Sequence, residues 1–144
     1  MIIKSILKNK PPGFISVPSD MRVSDVVGLL AQKNIGAVLI VETEELIGIL
    51  SERDVVRSLA RCPDTTLAMT AGALMTHNPT TAPPEMTVER ALEVMTDGHF
   101  RHLPVIDQGR LIGLVSIGDV VKARIDQSQH EVDSLRTYVA GAPL

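Results

Sequence analysis

The sequence predicts an α/β fold made of two consecutive β-α-β-β-α units. Two observations support this fold class. Several residues of the first half recur identically 65 positions later, and each half contains an amphipathic helical pattern followed by two short runs rich in β-branched residues. A fixed period with identities at turns and helix starts indicates an internal repeat.

The two repeats align without a gap over most of their length. The identical pairs, each 65 positions apart, are Pro18 and Pro83, Met21 and Met86, Val23 and Val88, Leu46 and Leu111, Ile47 and Ile112, Gly48 and Gly113, Ser51 and Ser116, Asp54 and Asp119, Val55 and Val120, and Val56 and Val121. We assign residues 1–69 to the first repeat with an N-terminal segment, and residues 70–144 to the second repeat with a C-terminal helical tail. The segment Ile2–Leu7 then corresponds to Thr70–Met75, with three extra residues in the first repeat. Together the repeats form one module.

Both repeats predict the same order of elements. Apolar residues recur at helical spacing at Val23, Val26, Val27 and Leu30, and at Val88, Ala91, Leu92 and Met95. Short apolar runs separated by four turn residues predict a hairpin in each repeat, with strands at Ala37–Val41 and Leu46–Leu50, and at Leu103–Ile106 and Leu111–Val115. A short leading strand is expected near Phe14–Val17 and near Thr80–Ala82, and a second helix is expected to begin at Ser51 and at Ser116.

The composition argues against several functional classes. Fourteen Lys and Arg against 17 Asp and Glu give a net charge of −3, and the chain has only two Phe and one Tyr. A nucleic-acid binder needs a basic surface and usually stacking rings. No apolar run reaches the roughly 20 residues that span a bilayer, and no signal-like leader opens the chain, so we expect a cytoplasmic protein that does not contact membranes. Cys62 is the single cysteine, which excludes an internal disulfide, and no metal site is expected.

The repeated Ser-x-x-Asp sequence, Ser51 to Asp54 and Ser116 to Asp119, has two interpretations. It is typical of a capping box, in which the serine caps a helix and the aspartate reaches back to the cap. The same geometry suits a nucleotide, because free N–H groups at a helix start bind phosphate and a carboxylate accepts two hydrogen bonds from ribose hydroxyls. The residues alone leave both interpretations open, with capping as the default.

The doubled motif resembles a known family. The stretches Gly48–Asp54, Gly113–Asp119 and Arg101–Val105 resemble the CBS domain family, and the pair resembles a Bateman module. The resemblance extends from Ile2 to about Gly141 and is to stand-alone members with two repeats, whose tail is similar to Leu135–Gly141. It implies tandem repeats packed with pseudo-twofold symmetry.

In the resembled family, adenosine lies in clefts between the repeats, where the aspartate of one repeat holds the ribose and the other repeat contacts the adenine. Carried over, the resemblance implies one cleft formed by Ser51 and Asp54 with Phe100, Arg101 and His102, and with Thr81 and Ala82 beside the base. It implies a second cleft formed by Ser116 and Asp119 with Ile35, Gly36 and Ala37, and with Ser16 and Val17 beside the base.

Phosphate recognition is expected to differ between the two clefts. The predicted phosphate contacts are Ser51, Arg53, Arg101 and His102 in one cleft and Ser116 in the other. Because Gly118 stands where the first repeat has Arg53, the Asp119 cleft should be poorer in cations unless Arg101 is shared or Lys122 reaches in. We therefore expect the Asp54 cleft to bind a phosphorylated nucleotide more tightly.

These expectations describe a regulatory binding protein rather than an enzyme. The expected ligand is an adenine nucleotide, AMP before ADP, ATP, NAD(H) or S-adenosylmethionine, and the module is expected to form a homodimer that acts in trans on an unknown target protein. A rival interpretation is a constitutive dimeric adaptor whose clefts no longer bind ligand. A nucleotide hydrolase is disfavoured, because neither a nucleophilic triad nor a glycine-rich phosphate loop is present.

Overall fold

The computed structural model describes residues 1–140 and confirms a mixed α/β fold built from two similar repeats. The elements are α1 (Ile3–Lys8), β1 (Ser16–Val17), α2 (Val23–Lys33), β2 (Ala37–Glu42), β3 (Glu45–Ser51), α3 (Glu52–Arg61), a 3₁₀ turn (Thr66–Ala68), α4 (Ala71–Leu74), β4 (Thr76–His77), α5 (Val88–Gly98), β5 (His102–Asp107), β6 (Arg110–Ser116) and α6 (Ile117–Ala140). The last helix of the second repeat and the C-terminal tail are thus one continuous helix. Gly141, which we included in the tail motif, lies outside the described residues.

Each repeat is organised around an antiparallel hairpin. In the first repeat, β1 adds to β2 in parallel and β4 adds to β3, which gives the strand order β1-β2-β3-β4. In the second repeat, β5 and β6 form a two-stranded sheet, and the expected leading strand is reduced to a single parallel bridge between Ala82 and Val105. Both hairpins shift register at equivalent positions, after Ile40 and after Val105. The repeat symmetry therefore extends to backbone irregularities.

The hairpin turns are tighter than the four residues that the sequence predicted. Thr43 and Glu44 form the first turn, and Gln108 and Gly109 form the second. All four have a positive φ, between 50° and 79°. A two-residue turn of type I′ requires this conformation, because its twist matches that of the paired strands. The first turn was missed because Thr-Glu is not among the Gly- and Asn-rich pairs that usually indicate it.

The leading helix of each repeat packs on the other repeat. Ile3 and Ile6 of α1 are buried in the apolar core of the second repeat, whereas Ala71 of α4 is buried in the core of the first. Two antiparallel backbone bridges link the same segments, one between Ile2 and Thr87 and the other between Arg22 and Thr70. The predicted division of the chain at residue 69 stays a prediction, and it does not coincide with the division between the two cores.

The exchange explains the glycine of the repeated Leu-Ile-Gly sequence. Gly48 in β3 lies against the segment that follows α4, where an added Cβ would be 2.9 Å from the backbone oxygen of Thr76. Gly113 in β6 lies against α1, where an added Cβ would be 2.8 Å from Cδ2 of Leu7. Both distances are shorter than carbon contacts normally are. The close approach of the leading segments, rather than a turn, therefore accounts for these glycines.

We expect Gly48→Ala to lower the free energy of unfolding by about 1–3 kcal/mol, the usual effect of overpacking a filled site. The Thr76 carbonyl belongs to β4 and moves only if that strand shifts. Gly113→Ala is the matched control and should have a smaller effect, because the Leu7 side chain can rotate away. Urea unfolding of both variants measures the difference, and equal losses would contradict this account of the two glycines.

Candidate functional site

A cavity of about 340 Å³ lies between the two repeats at the start of α3. Its lining residues are Gly36, Ile49, Ser51, Glu52, Arg53, Asp54 and Arg57 from the first repeat, with Thr76, Asn78, Pro79, Thr80, Gly98, His99, Phe100, Arg101 and His102. The structure thus brings Ser51, Arg53 and Asp54 together with Phe100, Arg101 and His102, as the sequence predicted for one cleft. Their roles toward a ligand stay predictions.

Two residues expected beside the base do not line this cavity. Ala82 is 2% exposed and belongs to the core of the second repeat, where its backbone bridges Val105. Thr81 is exposed but is absent from the cavity wall, which Thr80 lines instead. The equivalent residue of the first repeat, Val17 in β1, is likewise buried and lines neither this cavity nor the one beside Asp119.

Ser51 and Asp54 form the capping box that the sequence predicted by default. Oδ2 of Asp54 accepts hydrogen bonds from the backbone N–H of Ser51 at 2.9 Å and from its hydroxyl at 3.0 Å. The Ser51 Oγ accepts one from the Asp54 N–H at 3.2 Å. Both hydrogen bonds to the carboxylate end at Oδ2, and Oδ1 accepts no hydrogen bond from residues 1–140. Capping is therefore confirmed for α3, and it leaves one carboxylate oxygen available to a ligand.

Three arginines line the cavity, Arg53, Arg57 and Arg101. Arg53 donates a long hydrogen bond of 3.5 Å to the backbone oxygen of His99, which links α3 to the turn before β5. We did not predict Arg57 as a site residue, although it lies four positions after Arg53 and therefore on the same helix face. Since the cavity wall holds two carboxylates against three guanidinium groups, it favours an anionic group such as a phosphate.

His102 lies where the two repeats meet. Its ring packs against Gly36, at which an added Cβ would be 3.2 Å from Nε2 and 3.3 Å from Cε1. Burial lowers the pKa of the His102 imidazole below its ordinary value. Nearby charges act on that pKa in both directions. The carboxylates of Glu52 and Asp119 raise it, and the cations of Lys10 and Arg101 lower it. The imidazole is therefore mainly neutral at pH 7 and can both donate and accept a hydrogen bond.

The equivalent position in the second repeat is arranged differently, because Asp119 is paired with a lysine. The capping box recurs, since Asp119 Oδ2 accepts from the Ser116 N–H at 2.9 Å and the Asp119 N–H donates to Ser116 Oγ at 3.1 Å. In addition, Lys10 Nζ donates to Asp119 Oδ2 at 2.7 Å and to the backbone oxygen of Leu114 at 2.9 Å. Burial raises the pKa of Asp119, but the hydrogen bonds from Lys10 and Ser116 lower it further, so the net pKa lies below its ordinary value.

Lys10 is a residue that the sequence analysis missed. It corresponds to Asn78 when the leading segments are aligned through Ile2 and Thr70. The Asp119 cleft still has fewer cationic residues than the Asp54 cavity, Lys10 and Lys122 against three arginines, but the N-terminal segment supplies Lys10 directly at the carboxylate, a contact that we did not predict. The sequence signal for this contact is a basic residue at position 10, just after the N-terminal helix that packs on the second repeat.

The cavity beside Asp119 measures about 300 Å³ and is lined by Met1, Ile6, Asn9, Lys10, Asp119, Lys122, Ala123 and Asp126. Lys122 does reach it, as the sequence allowed. The residues predicted beside the base do not line this cavity, namely Ser16, Val17, Ile35, Gly36 and Ala37. Val17 and Ala37 are each 3% exposed in or beside the core of the first repeat, and Gly36 lines the Asp54 cavity instead. Their contact with a ligand stays a prediction.

Within residues 1–140, no three His, Cys, Asp or Glu side chains are grouped as a metal ion would need. No helix in the same residues is long and apolar enough to cross a bilayer. The Cys62 thiol is exposed and free.

A family model for the CBS domain matches residues 3–61 and 71–126, which correspond to the two repeats. The chain belongs to the CBS domain family. The mitochondrial CBS domain-containing protein CBSX3 of Arabidopsis thaliana is 35% identical over 145 residues, covering 97% of this chain and 70% of that protein. The resemblance that the repeated motif indicated is therefore confirmed.

Solved CBS structures agree with the fold described above. A CBS-domain-containing protein from Agrobacterium tumefaciens is 36% identical, with a TM-score of 0.83, and the match covers 86% of this chain and 99% of that chain. A CBS domain protein from Pyrobaculum aerophilum, solved with AMP, is 27% identical, with a TM-score of 0.73 and coverage of 83% and 89%. The predicted fold class, a pair of CBS repeats, is confirmed.

Because the pKa of His102 is lower in the folded chain than in the unfolded one, the unfolded state binds more protons as the pH falls below the ordinary value of about 6.5. The stability contributed by the neutral imidazole is present above that pH and is lost as the pH falls toward the folded pKa. We expect the free energy of unfolding to decrease less steeply between pH 7 and pH 5.5 in His102→Gln than in wild type, by at most about 1.4 kcal/mol per pH unit. His130→Gln, at an exposed position of α6, is the control. Parallel pH profiles for His102→Gln and wild type would contradict the assignment.

Proposed function

We propose that this CBS pair is a regulatory module that binds one adenine nucleotide in the Asp54 cavity. Similar solved CBS pairs support the ligand class. The Pyrobaculum protein and CBSX2 were crystallised with AMP, and the CBS pair of MJ0100 was crystallised with 5′-methylthioadenosine and S-adenosyl-L-methionine. The observation that carries the proposal for this chain is the cavity that combines Asp54 Oδ1, which has no hydrogen-bond donor among residues 1–140, with three arginines from both repeats.

The two ends of the cavity suit the two ends of a nucleotide. Asp54 Oδ1 can accept hydrogen bonds from ribose hydroxyls while Oδ2 remains in the capping box. The helix start offers little to a phosphate, because the Glu52 N–H already donates to the Gly36 oxygen and the Asp54 N–H to Ser51 Oγ. We therefore assign phosphate binding mainly to the guanidinium groups, which bind phosphate in a bidentate way.

The Asp119 position is assigned no nucleotide. A ribose at this carboxylate would have to share it with Lys10, whose ammonium lies 2.7 Å from Oδ2 and also donates to the Leu114 carbonyl, although Asp119 Oδ1, like Asp54 Oδ1, accepts no hydrogen bond from residues 1–140. In the Asp54 cavity the equivalent position holds Asn78, a neutral residue that leaves the carboxylate oxygen accessible. The proposed stoichiometry is therefore one nucleotide per chain.

Regulation follows from the position of the cavity between the repeats. A ligand that touches Asp54 on one repeat and Arg101 on the other favours the arrangement in which both contacts are made. Such a differential affinity is what a ligand needs to shift a conformational equilibrium. Action on a separate target protein, assembly as a homodimer and a cytoplasmic location remain part of the proposal.

One observation favours the alternative function of a constitutive adaptor. Both Ser-x-x-Asp sequences form complete capping boxes from their own side-chain and backbone atoms. Helix capping alone would account for these residues in a module that only holds partner proteins. Ligand binding therefore decides between the two functions.

The deciding experiment is a titration with AMP, followed by calorimetry and by thermal unfolding. A ligand that binds only the folded state adds about 2.7 kcal/mol of stability at 100 times its Kd. We expect Asp54→Ala to weaken AMP binding roughly 10- to 150-fold, the loss of about 1.5–3 kcal/mol typical of hydrogen bonds to a charged group. Asp119→Ala removes the matching capping box and should leave AMP affinity unchanged. Adenosine should bind wild type less tightly than AMP because it lacks the phosphate.

Two outcomes would contradict this proposal. No rise in melting temperature with AMP, ADP, ATP, NADH or S-adenosylmethionine would favour the adaptor. Equal loss of AMP affinity in Asp54→Ala and Asp119→Ala would show that the two aspartates act through stability and not through contact with the ligand.

The role of Lys10 is tested by stoichiometry. We expect wild type to bind one adenosine per chain, and Lys10→Met to bind a second, because the substitution removes the ammonium group beside the Asp119 carboxylate while it keeps much of the side-chain volume. Adenosine is the probe, since it has no phosphate that Lys10 itself could attract. Lys8→Met, an exposed position in α1, is the control. Two adenosines bound by wild type, or one bound by Lys10→Met, would show that Lys10 does not close this cleft.

A further inference from the structure

The side chain of His102 lies where the two clefts adjoin. It lines the cavity beside Asp54, and in the hairpin of the second repeat His102 is paired with Ser116, the serine of the second capping box. Lys10 and Asp119 of the second cleft are close enough to influence its ionisation. A titratable ring therefore stands between the proposed nucleotide site and the ion pair at the equivalent position.

Both nitrogens of the His102 ring are available to a ligand. Neither forms a hydrogen bond with a group of residues 1–140, and in the same residues the buried side-chain polar atom that lacks a partner is Gln127 Oε1. The ring nitrogens of His102 are therefore in contact with solvent. A group that enters the cavity can reach them.

Two carboxylates and two cations surround the ring, each from a different segment of the chain. They are Glu52 at the start of α3, Asp119 in α6, Lys10 after α1 and Arg101 before β5. Lys10 and Asp119 pair with each other at 2.7 Å, so their opposite effects on the ring largely cancel. The turn before β2 packs on the ring through Gly36, which carries no charge.

Glu52 approaches the ring without binding it. Its Oε1 lies 3.5 Å, and His102 Nε2 lies 3.2 Å, from the point that a Cβ on Gly36 would occupy. The imidazole remains mainly neutral at pH 7, because burial lowers its pKa by more than the carboxylates raise it. Further negative charge in the cavity would shift this balance toward the imidazolium ion.

We propose that His102 is the residue that distinguishes a phosphorylated nucleotide from a nucleoside, by taking up a proton when a phosphate enters the Asp54 cavity. The site then binds AMP more tightly as the pH falls, and it binds adenosine equally well at each pH. This inference rests on the proposed function and adds a second signal, the proton, to the same site.

The proton moves from solvent to the free ring nitrogen of His102, and no other bond forms or breaks. The imidazolium ion has two N–H donors instead of one, and it adds a positive charge to those of the arginines. A phosphate dianion within about 4–6 Å favours the charged form of the ring. The pKa of His102 is therefore higher in the complex than in the free chain, and proton uptake occurs between these two values.

The first test is the pH dependence of AMP affinity, measured by calorimetry with the full chain. As the pH falls from about 8 to about 6.5, we expect the Kd of wild type for AMP to decrease at least roughly threefold, and by no more than about tenfold per pH unit for one proton. The AMP phosphate stays mainly dianionic over this range, since its second pKa is about 6. The Kd for adenosine should not change.

His102→Gln removes the titrating group and keeps a side chain that can hydrogen-bond. In this variant we expect the Kd for AMP to change less than about twofold over the same pH range, the small effect left by titration of the phosphate itself. The matched control is His99→Asn, because His99 is an exposed histidine of the same cavity wall and asparagine tolerates its positive φ of 57°. This control should keep the pH dependence of wild type. A wild-type slope in His102→Gln, or a slope lost from His99→Asn as well, would overturn the assignment to His102.

A measurement on wild type alone separates proton uptake from any damage caused by a substitution. The NMR signal of the His102 ring proton, identified by its absence in His102→Gln, should titrate at least about half a pH unit higher with saturating AMP than without it. Saturating adenosine should leave the midpoint unchanged. An AMP affinity that is independent of pH, with an unshifted His102 midpoint, would overturn this inference and leave nucleotide binding intact, whereas no AMP binding at any pH would overturn both.

Discussion

The exchange of leading helices between the repeats is the contact on which the rest of this structure depends. Because α1 is buried in the second core and α4 in the first, neither repeat can complete its core without the other. The exchange places Asn78 and Thr80 in the wall of the Asp54 cavity, and it carries Lys10 to Asp119. Gly48 and Gly113 allow the leading segments to approach the strands this closely, and the same approach sets the position of both clefts.

The two clefts show how a repeated motif acquires two different chemical environments. Their capping boxes have nearly the same geometry, so the local backbone does not distinguish them. The difference comes from the exchanged segments, which bring a lysine to one carboxylate and a neutral asparagine near the other. The ion pair with Lys10 keeps the Asp119 carboxylate charged and places an ammonium group at its Oδ2, whereas no salt bridge within residues 1–140 joins an arginine of the Asp54 cavity to a carboxylate. The functional asymmetry is therefore a property of the packing between the repeats.

Capping and ligand binding are compatible in this structure, although the sequence presented them as alternatives. The capping box uses one oxygen of Asp54 and leaves the other without a partner among residues 1–140. A helix start of this kind is already stable before a ligand arrives, so binding does not have to order it. The carboxylate oxygen and the arginines are held in place by α3 and by the turn before β5, and a ligand that joins them would join the two repeats.

The sequence alone determined the repeat, the order of elements, the hairpins and the group of Ser51, Arg53 and Asp54 at the start of α3. These features depend on local periodicity and on residues close together in the chain. It also indicated the resemblance to CBS domains, which the comparisons confirm. It did not determine the type I′ turn at Thr43, which tertiary pairing of the strands imposes on residues of low intrinsic preference. Nor did it reveal Lys10 at Asp119 or the loss of the leading strand before Ala82. Those features arise where segments distant in the chain meet, and only the packing of the two repeats brings their side chains within bonding distance.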